Sequence, residues 1–358
     1  MRWLWLLVVP FVFLGVGAWR AMPLQATETP EATSEANPAW CVSVWYPSAS
    51  ALGGLDSIQK NANLISVINP FWYTANADGT VQKSAADTEN ADELAAWRTD
   101  KLTLIPTIYG STWQMLSDPK VLASHVKQII ALATTMNYDG IDIDYESFPL
   151  ATRDEFSAFI EQLSAKLHAD HKLLTVAVHP KTDDAGTWYG AAAQDWTRIA
   201  PAVDVFTIMT YDYTDRNQPP GPISPPNWVA DVLTYAASVT DLHKVHMGLP
   251  FYGYSWTRDY PPATTTDWVS VNRLIQTFKP TVERDPDEME AQIELKAKGL
   301  PKQTIYVEDS TAIAYKLNYI LNEFPDLGGV GIWGIGGEDP ADWDVLRAAR
   351  QPNCALKP

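Results

Sequence analysis

The sequence predicts an α/β chain folded as a closed (β/α)8 TIM barrel over residues 39–358, with a small α+β insertion at about 257–306 between strand seven and helix seven. Three observations predict it. Eight short apolar runs recur after residue 40, and runs that are apolar almost throughout belong to strands buried on both faces, as in parallel sheets. The stretches between them repeat apolar residues at the i, i+3/i+4, i+7 helical spacing. Apolar residues make up 46% of the chain, enough for one large core and too many for global disorder. A doubly wound open sheet satisfies the same alternation.

In chain order, Arg2 precedes a nearly unbroken apolar run from Trp3 to Trp19, the pattern of a signal peptide or membrane anchor within 1–22. Val16-Gly17-Ala18 is a weak cleavage signal; the run is long for a signal core and slightly short for a full span. Either outcome exports the rest: secreted, or anchored to the outer face of the cytoplasmic membrane by a tether through residues 3–19. Residues 23–38, rich in Thr, Glu, Pro, Ala and Ser, read as a flexible linker. Strands are expected at 41–46, 64–69, 102–108, 139–146, 173–179, 203–211, 244–250 and 328–333. Leu122, Val126, Ile129, Ile130 and Ala133 share one helix face; Phe156, Phe159, Ile160, Leu163 and Leu167 share another. Asp118-Pro119 and Asp339-Pro340 each pair a capping residue with a proline suited to the first helical position. Residues 257–306 are too long for a simple crossover and carry β-prone pieces such as Thr304-Ile305-Tyr306-Val307. An insertion there joins the loops at the C-terminal strand ends, where long loops build cleft walls. Cys41 opens the first strand and Cys354 lies near the chain end. A closed barrel brings first and last elements together, and an oxidising compartment permits their disulfide.

Composition removes several function classes. The net charge of −17, from 43 acidic against 26 basic residues, makes nucleic acid a poor partner, since phosphate binding needs clustered Lys and Arg. A neutral polymer suits this charge better than an anionic one. CxxC and HExxH patterns are absent, so no metal site is indicated, and no cofactor motif stands out. The 15 Trp and 15 Tyr serve equally as core filler or as flat surfaces for sugar rings. The chain is expected to act as a monomer.

The richest segment is Tyr138-Asp139-Gly140-Ile141-Asp142-Ile143-Asp144-Tyr145-Glu146. Side chains alternate along a strand, so Asp142, Asp144 and Glu146 face the barrel interior and Ile141, Ile143 and Tyr145 face the helices. Asp139 is out of phase and reads as structural. Three carboxyls on one inner face repel and are costly to bury, which pushes protons onto at least one of them. Glu146 lies nearest the strand's C-terminal end, where barrel chemistry occurs, and a carboxyl held protonated by its neighbours suits a general acid. A calcium site is the alternative, but calcium ligands usually come from loops.

The segment resembles the Asp-x-x-Asp-x-Asp-x-Glu signature of the family 18 glycoside hydrolases, with Asp139, Asp142, Asp144 and Glu146 in its four positions. The resemblance extends through Met209-Thr210-Tyr211-Asp212, through Gly248-Leu249-Pro250-Phe251-Tyr252-Gly253, and to Trp333 at the end of strand eight. Asn69-Pro70-Phe71-Trp72-Tyr73 with Asp78-Gly79, and Tyr306-Val307-Glu308-Asp309-Ser310, resemble the bacterial spore-germination cell-wall branch. The resemblance implies a glycosidase acting on N-acetylglucosamine-containing polysaccharide, chitin-like or peptidoglycan, by substrate-assisted chemistry without a protein nucleophile. Glu146 would then be acid and base. Asp144 would orient the 2-acetamido group, Asp142 would share a proton with Asp144, and Tyr211 would donate to the acetamide oxygen. Asp212, Met209, Tyr252, Trp72 and Tyr73 would bind substrate, and Trp333 would floor the cleavage subsite. The alternative is a lectin-like barrel, which usually lacks part of the signature.

Gly329-Val330-Gly331-Ile332-Trp333-Gly334 also spells GxGxxG, but no further βαβ unit follows it, so tight packing explains it better than a nucleotide. His179, at the end of strand five, is either a hydrogen-bonded barrel residue or a side chain that reaches the cleft.

Overall fold

The computed structural model describes residues 40–47, 53–84, 91–110, 113–350, 353, 354 and 356. The expected signal or anchor segment and linker lie outside these residues. Eight parallel segments form the barrel: β1 (Cys41–Tyr46), β2 (Val67–Pro70), β3 (Thr103–Leu104 and Thr107–Gly110), β4 (Gly140–Tyr145), β5 (Leu173–Val178), β6 (Val205–Ile208), β7 (Val245–Pro250) and β8 (Gly329–Trp333). β1 pairs with both β2 and β8, which joins the first strand to the last.

The third strand differs from the single run expected at 102–108. Pro106 has no N–H to continue the ladder, so the strand breaks there and each half serves a different neighbour. Leu104 pairs with Ile68 of β2, while its carbonyl accepts from Asp139 N at 2.9 Å. Beyond the break, Thr107 pairs with Asp142 of β4. Strand three therefore contacts both neighbours and the ring closes. An unexpected hairpin, Tyr73–Ala75 with Val81–Lys83, follows β2 and pairs with the second half of β3, Tyr73 opposite Ile108.

The predicted faces meet the core. Ile141, Ile143 and Tyr145 point outward into one apolar layer with Val126, Ile129, Phe156, Phe159 and Leu163, and the Tyr145 and Phe159 rings stack at 5.8 Å. Helix Pro119–Thr135 begins at Asp118, whose side chain accepts from Lys120 N and Val121 N. The second expected start shifts. The last helix runs Asp342–Ala349, because Asp339 accepts instead from Ser310 N and Ala341 N.

The insertion begins at Gly253, earlier than expected. Its antiparallel sheet comprises Gly253–Thr257, Tyr260–Thr266, Val282–Glu283, Ala291–Leu295 and Gln303–Val307, with helix Trp268–Phe278 against it. Val271, Ala291, Ile293, Ile305 and Val307 give it a small core of its own. Cys41 and Cys354 are bridged, with Cα atoms 4.7 Å apart across 313 residues of sequence. Among the described residues, no helix is long and apolar enough to cross a membrane.

Candidate active site

β4 directs Asp142 and Asp144 into the barrel and ends one residue before Glu146. Asp142 is the deepest. Its carboxyl accepts from Trp45 Nε1 at 3.0 Å, Thr107 Oγ1 at 2.8 Å and Thr175 Oγ1 at 2.5 Å, so β1, β3 and β5 each supply one donor. Burial raises its pKa, and the three donors temper that rise. Asp144, one layer up, is buried and has a carboxyl oxygen with no partner among the described residues. Burial, then the charges of Glu146 and Asp142, hold it well above the usual carboxylate range. Glu146, half exposed at the mouth, is raised by its enclosure and by Asp212. Like charges stacked this closely retain protons that isolated carboxyls would release, and the protons belong to the set.

Tyr211 faces this stack. Burial, then Asp144, raise its phenol well above the ordinary value, so it remains a hydrogen-bond donor. Gly248 makes room for it, since a Cβ there would stand 2.9 Å from the Tyr211 ring and 2.7 Å from the Ile208 carbonyl. Asp212 adopts a left-handed backbone with φ 57°, a region Asp tolerates better than most residues. It lies exposed on the cleft wall, and its carboxyl accepts from Tyr252 OH at 2.5 Å and Tyr254 OH at 2.8 Å. Tyr252 leads into the insertion and Tyr254 lies on its first strand, so the insertion helps build the site. Met209 packs beneath with Tyr211, Tyr252 and Tyr254.

Trp333, half buried at the end of β8, packs edge-on against Trp45 at 6.3 Å and against Phe71 at 5.0 Å; Phe71 in turn meets Tyr109 at 5.0 Å. Two expectations need correction here. Trp72 is wholly buried and stacks on Trp97 at 5.9 Å. Tyr73 bonds Tyr138 through their hydroxyls at 2.8 Å. Both belong to the main core rather than the cleft. The chain leaves β2 after Pro70, so strand alternation does not carry across this bend, and Phe71 faces the cleft instead. Trp45 was also missed. Alternation within β1 could have found it, since Val42 and Val44 face the helices and Trp45 must therefore face inward. The glycine-rich run of β8 serves the same packing, because a Cβ on Gly331 would stand 3.2 Å from the Trp45 ring.

Asp139 accepts from Leu104 N at 2.8 Å on the barrel exterior. His179, which sequence left undecided, brings Nε2 to 3.4 Å from the Glu146 carboxylate. Two hollows meet at Asp212. One, about 660 Å³, is lined by Tyr252, Trp333, Thr265 and Arg273. The other, about 790 Å³, is lined by Trp188, Tyr213 and Trp228. Joined at Asp212, the residue after Tyr211, they give a groove with aromatic walls. Among the described residues, no group of His, Cys, Asp or Glu is arranged to hold a metal ion.

The model of the glycosyl hydrolases family 18 matches residues 43–338. The chain belongs to this family. As a family 18 glycosidase it is 25% identical over 301 residues to the cortical fragment-lytic enzyme of Bacillus anthracis, covering 79% of this chain and 69% of that one. In fold it resembles a chitinase from Chromobacterium violaceum, with TM-score 0.80 and 22% identity over 87% of this chain and 99% of that one. It also resembles the Bacillus cereus spore cortex-lytic enzyme SleL, with TM-score 0.76 and 21% identity over 86% of this chain and 73% of that one. These neighbours are TIM barrels of the same family, which agrees with the fold expected from sequence.

Proposed function

We propose that this glycosidase cleaves β-1,4 bonds next to N-acetylglucosamine in chitin-like or peptidoglycan polymers, by a retaining, substrate-assisted route. The observation that carries the reading is the stack of Asp142, Asp144 and Glu146 beneath the Tyr211 phenol, with an unpartnered Asp144 oxygen inside it. Protonated Glu146 gives its proton to the glycosidic oxygen as the C1–O bond breaks. The acetamido oxygen forms a new bond to C1, giving an oxazolinium ion. The unpartnered Asp144 oxygen accepts from the acetamide N–H, orients it and offsets the developing positive charge. Asp142 shares a proton with Asp144, so Asp144 can gain negative charge as that charge develops. Tyr211 donates to the acetamide oxygen and positions it. Water, deprotonated by Glu146, then attacks C1 and reopens the ring. Two displacements at C1 retain configuration and return the proton to Glu146.

Trp333 offers its face to the sugar at the cleavage point, and Asp212 holds a sugar hydroxyl. The test compares the full chain with Glu146→Gln on N-acetylglucosamine oligomers and on peptidoglycan, with unacetylated glucan as control. Release from an acetamido polymer, reduced ~10³-fold in the variant, with glucan inert, supports the reading. Binding without release by either protein supports the lectin-like alternative. Comparable cleavage of glucan overturns the substrate-assisted route.

We also propose that the chain works outside the cytoplasm, secreted or tethered through residues 3–19. The Cys41–Cys354 bridge supports this, since such bonds persist in oxidising compartments. Fractionation of cells that express the full chain tests it; recovery in the cytosol with reduced cysteines refutes it.

A further inference from the structure

His179 lies outside the family signature, yet its side chain reaches Glu146. It is only 8% exposed. Its Nε2 is buried and makes no hydrogen bond of good geometry among the described residues, while the Glu146 carboxylate stands 3.4 Å away. An unpaired buried ring nitrogen is costly, so this juxtaposition needs a reason. The placement is also held. Gln194, fully buried, accepts from His179 N at 2.7 Å and donates to Tyr145 O at 3.3 Å. One side chain thus ties the backbone of His179 to the residue preceding Glu146. On its other flank the His179 ring meets Trp188 edge-on at 4.6 Å.

We propose that His179 is a positioning residue for Glu146, with its neutral Nε2–H donating to one carboxyl oxygen so that the transferable proton resides on the other, which faces the groove. This inference rests on Glu146 being the acid and base. Burial depresses the imidazole to about 4, so it is uncharged at neutral pH. That matters chemically. A cationic imidazolium would hold Glu146 as its anion and remove the acid, whereas a neutral donor supports both the acid and the carboxylate left after proton transfer. The groups facing Glu146 are Asp144 on its own strand, Tyr211 and Asp212 beyond β6, and His179 beyond β5. Of the last three, only His179 is placed to donate without being claimed by the acetamido group. It thereby offsets repulsion from Asp212.

The test uses His179→Phe, which keeps a ring against Trp188 but has no donor, and His179→Gln, which restores an N–H. Losing a donor to the anion raises the Glu146 pKa, by roughly half to one pH unit once its partial exposure is allowed for. The Glu146 carboxyl carbon is followed by NMR titration of the ligand-free full chain labelled with carbonyl-13C glutamate, its signal assigned by loss in Glu146→Gln. The pH profile of kcat/KM on N-acetylglucosamine oligomers is recorded alongside. The midpoint should move up in His179→Phe and return toward wild type in His179→Gln, with the basic limb of the profile following it. An unmoved midpoint in folded His179→Phe overturns the proposal and leaves His179 as packing. If wild type hydrolyses nothing, the proposed function fails while the titration still decides the His179–Glu146 contact.

Discussion

Replacing Asp144 by Asn should stabilise the fold while stopping the chemistry, and the gain should grow with pH. Asp144 is buried, one of its oxygens is unpartnered, and Asp142 and Glu146 add like charge. Its folded pKa therefore stands well above the ordinary value of 3.8. The sign follows from proton linkage. Below that ordinary value, folded and unfolded chains both bind the proton and the carboxyl contributes nothing. As pH rises past it, the unfolded chain releases the proton and the folded chain keeps it. Wild-type stability then falls by about 1.4 kcal/mol for each pH unit until the folded carboxyl also ionises. Asn binds no such proton and escapes this loss. In a barrel of this size about 1 kcal/mol moves Tm by roughly 2 °C. The Asn variant should thus gain about 2–3 °C on wild type for each pH unit above 4, until the carboxyl set ionises. Thermal unfolding by calorimetry at pH 4, 6 and 8 measures this, together with turnover of N-acetylglucosamine oligomers. A variant less stable than wild type at pH 8, or a difference that does not change with pH, would refute the claim that the stack is electrostatically strained.

Two further outcomes follow from named contacts. Tyr252→Phe removes a donor to Asp212 and should cost about 1 kcal/mol after allowance for the exposure of that carboxyl. Since the donor favours the ionised carboxyl, the loss should vanish at low pH and appear as pH rises, which urea unfolding at pH 4 and pH 8 would reveal. Cys41→Ser should cost about 2–4 kcal/mol, the usual worth of a native bridge, here joining residues 313 apart; unfolding of wild type and variant, each with and without reductant, measures it, and reductant should have no effect on the variant.

How much was legible in the sequence follows from the range of each interaction. The inward set on β4 depends only on side chains alternating along one strand, so Asp142, Asp144 and Glu146 could be assigned to one face without tertiary knowledge. The helix faces built on Phe156 and Val126 were equally local. Trp72 and Tyr73 failed because the chain bends beyond Pro70, and a motif match carries no direction across a bend. The break in strand three was visible as Pro106, but its consequence, one half serving β2 and the other β4, requires the closed ring. The support beneath the site was hidden. Trp45, Thr107 and Thr175 converge on Asp142 from three strands, and that convergence depends on barrel register rather than on any spacing in the chain.

The same dependence on register explains where the site places its cost. Asp142 is buried as deeply as any carboxyl among the described residues, yet three donors satisfy it, so it can serve as a stable base layer for the stack. Asp144 stands directly above with an oxygen left unpaired, although hydroxyls and an indole lie one layer below. A fold selected only for stability would satisfy that oxygen or replace the residue with an apolar one. In the proposed mechanism that open oxygen is the acceptor for an incoming amide N–H. The layer beneath, β1, β3 and β5 together, holds the strand that presents it. Substitution in that layer should therefore disturb catalysis through Asp144 even though none of its residues touches the groove, and Thr175→Val, which removes the 2.5 Å hydrogen bond to Asp142, is the variant in which that separation between support and contact is cleanest.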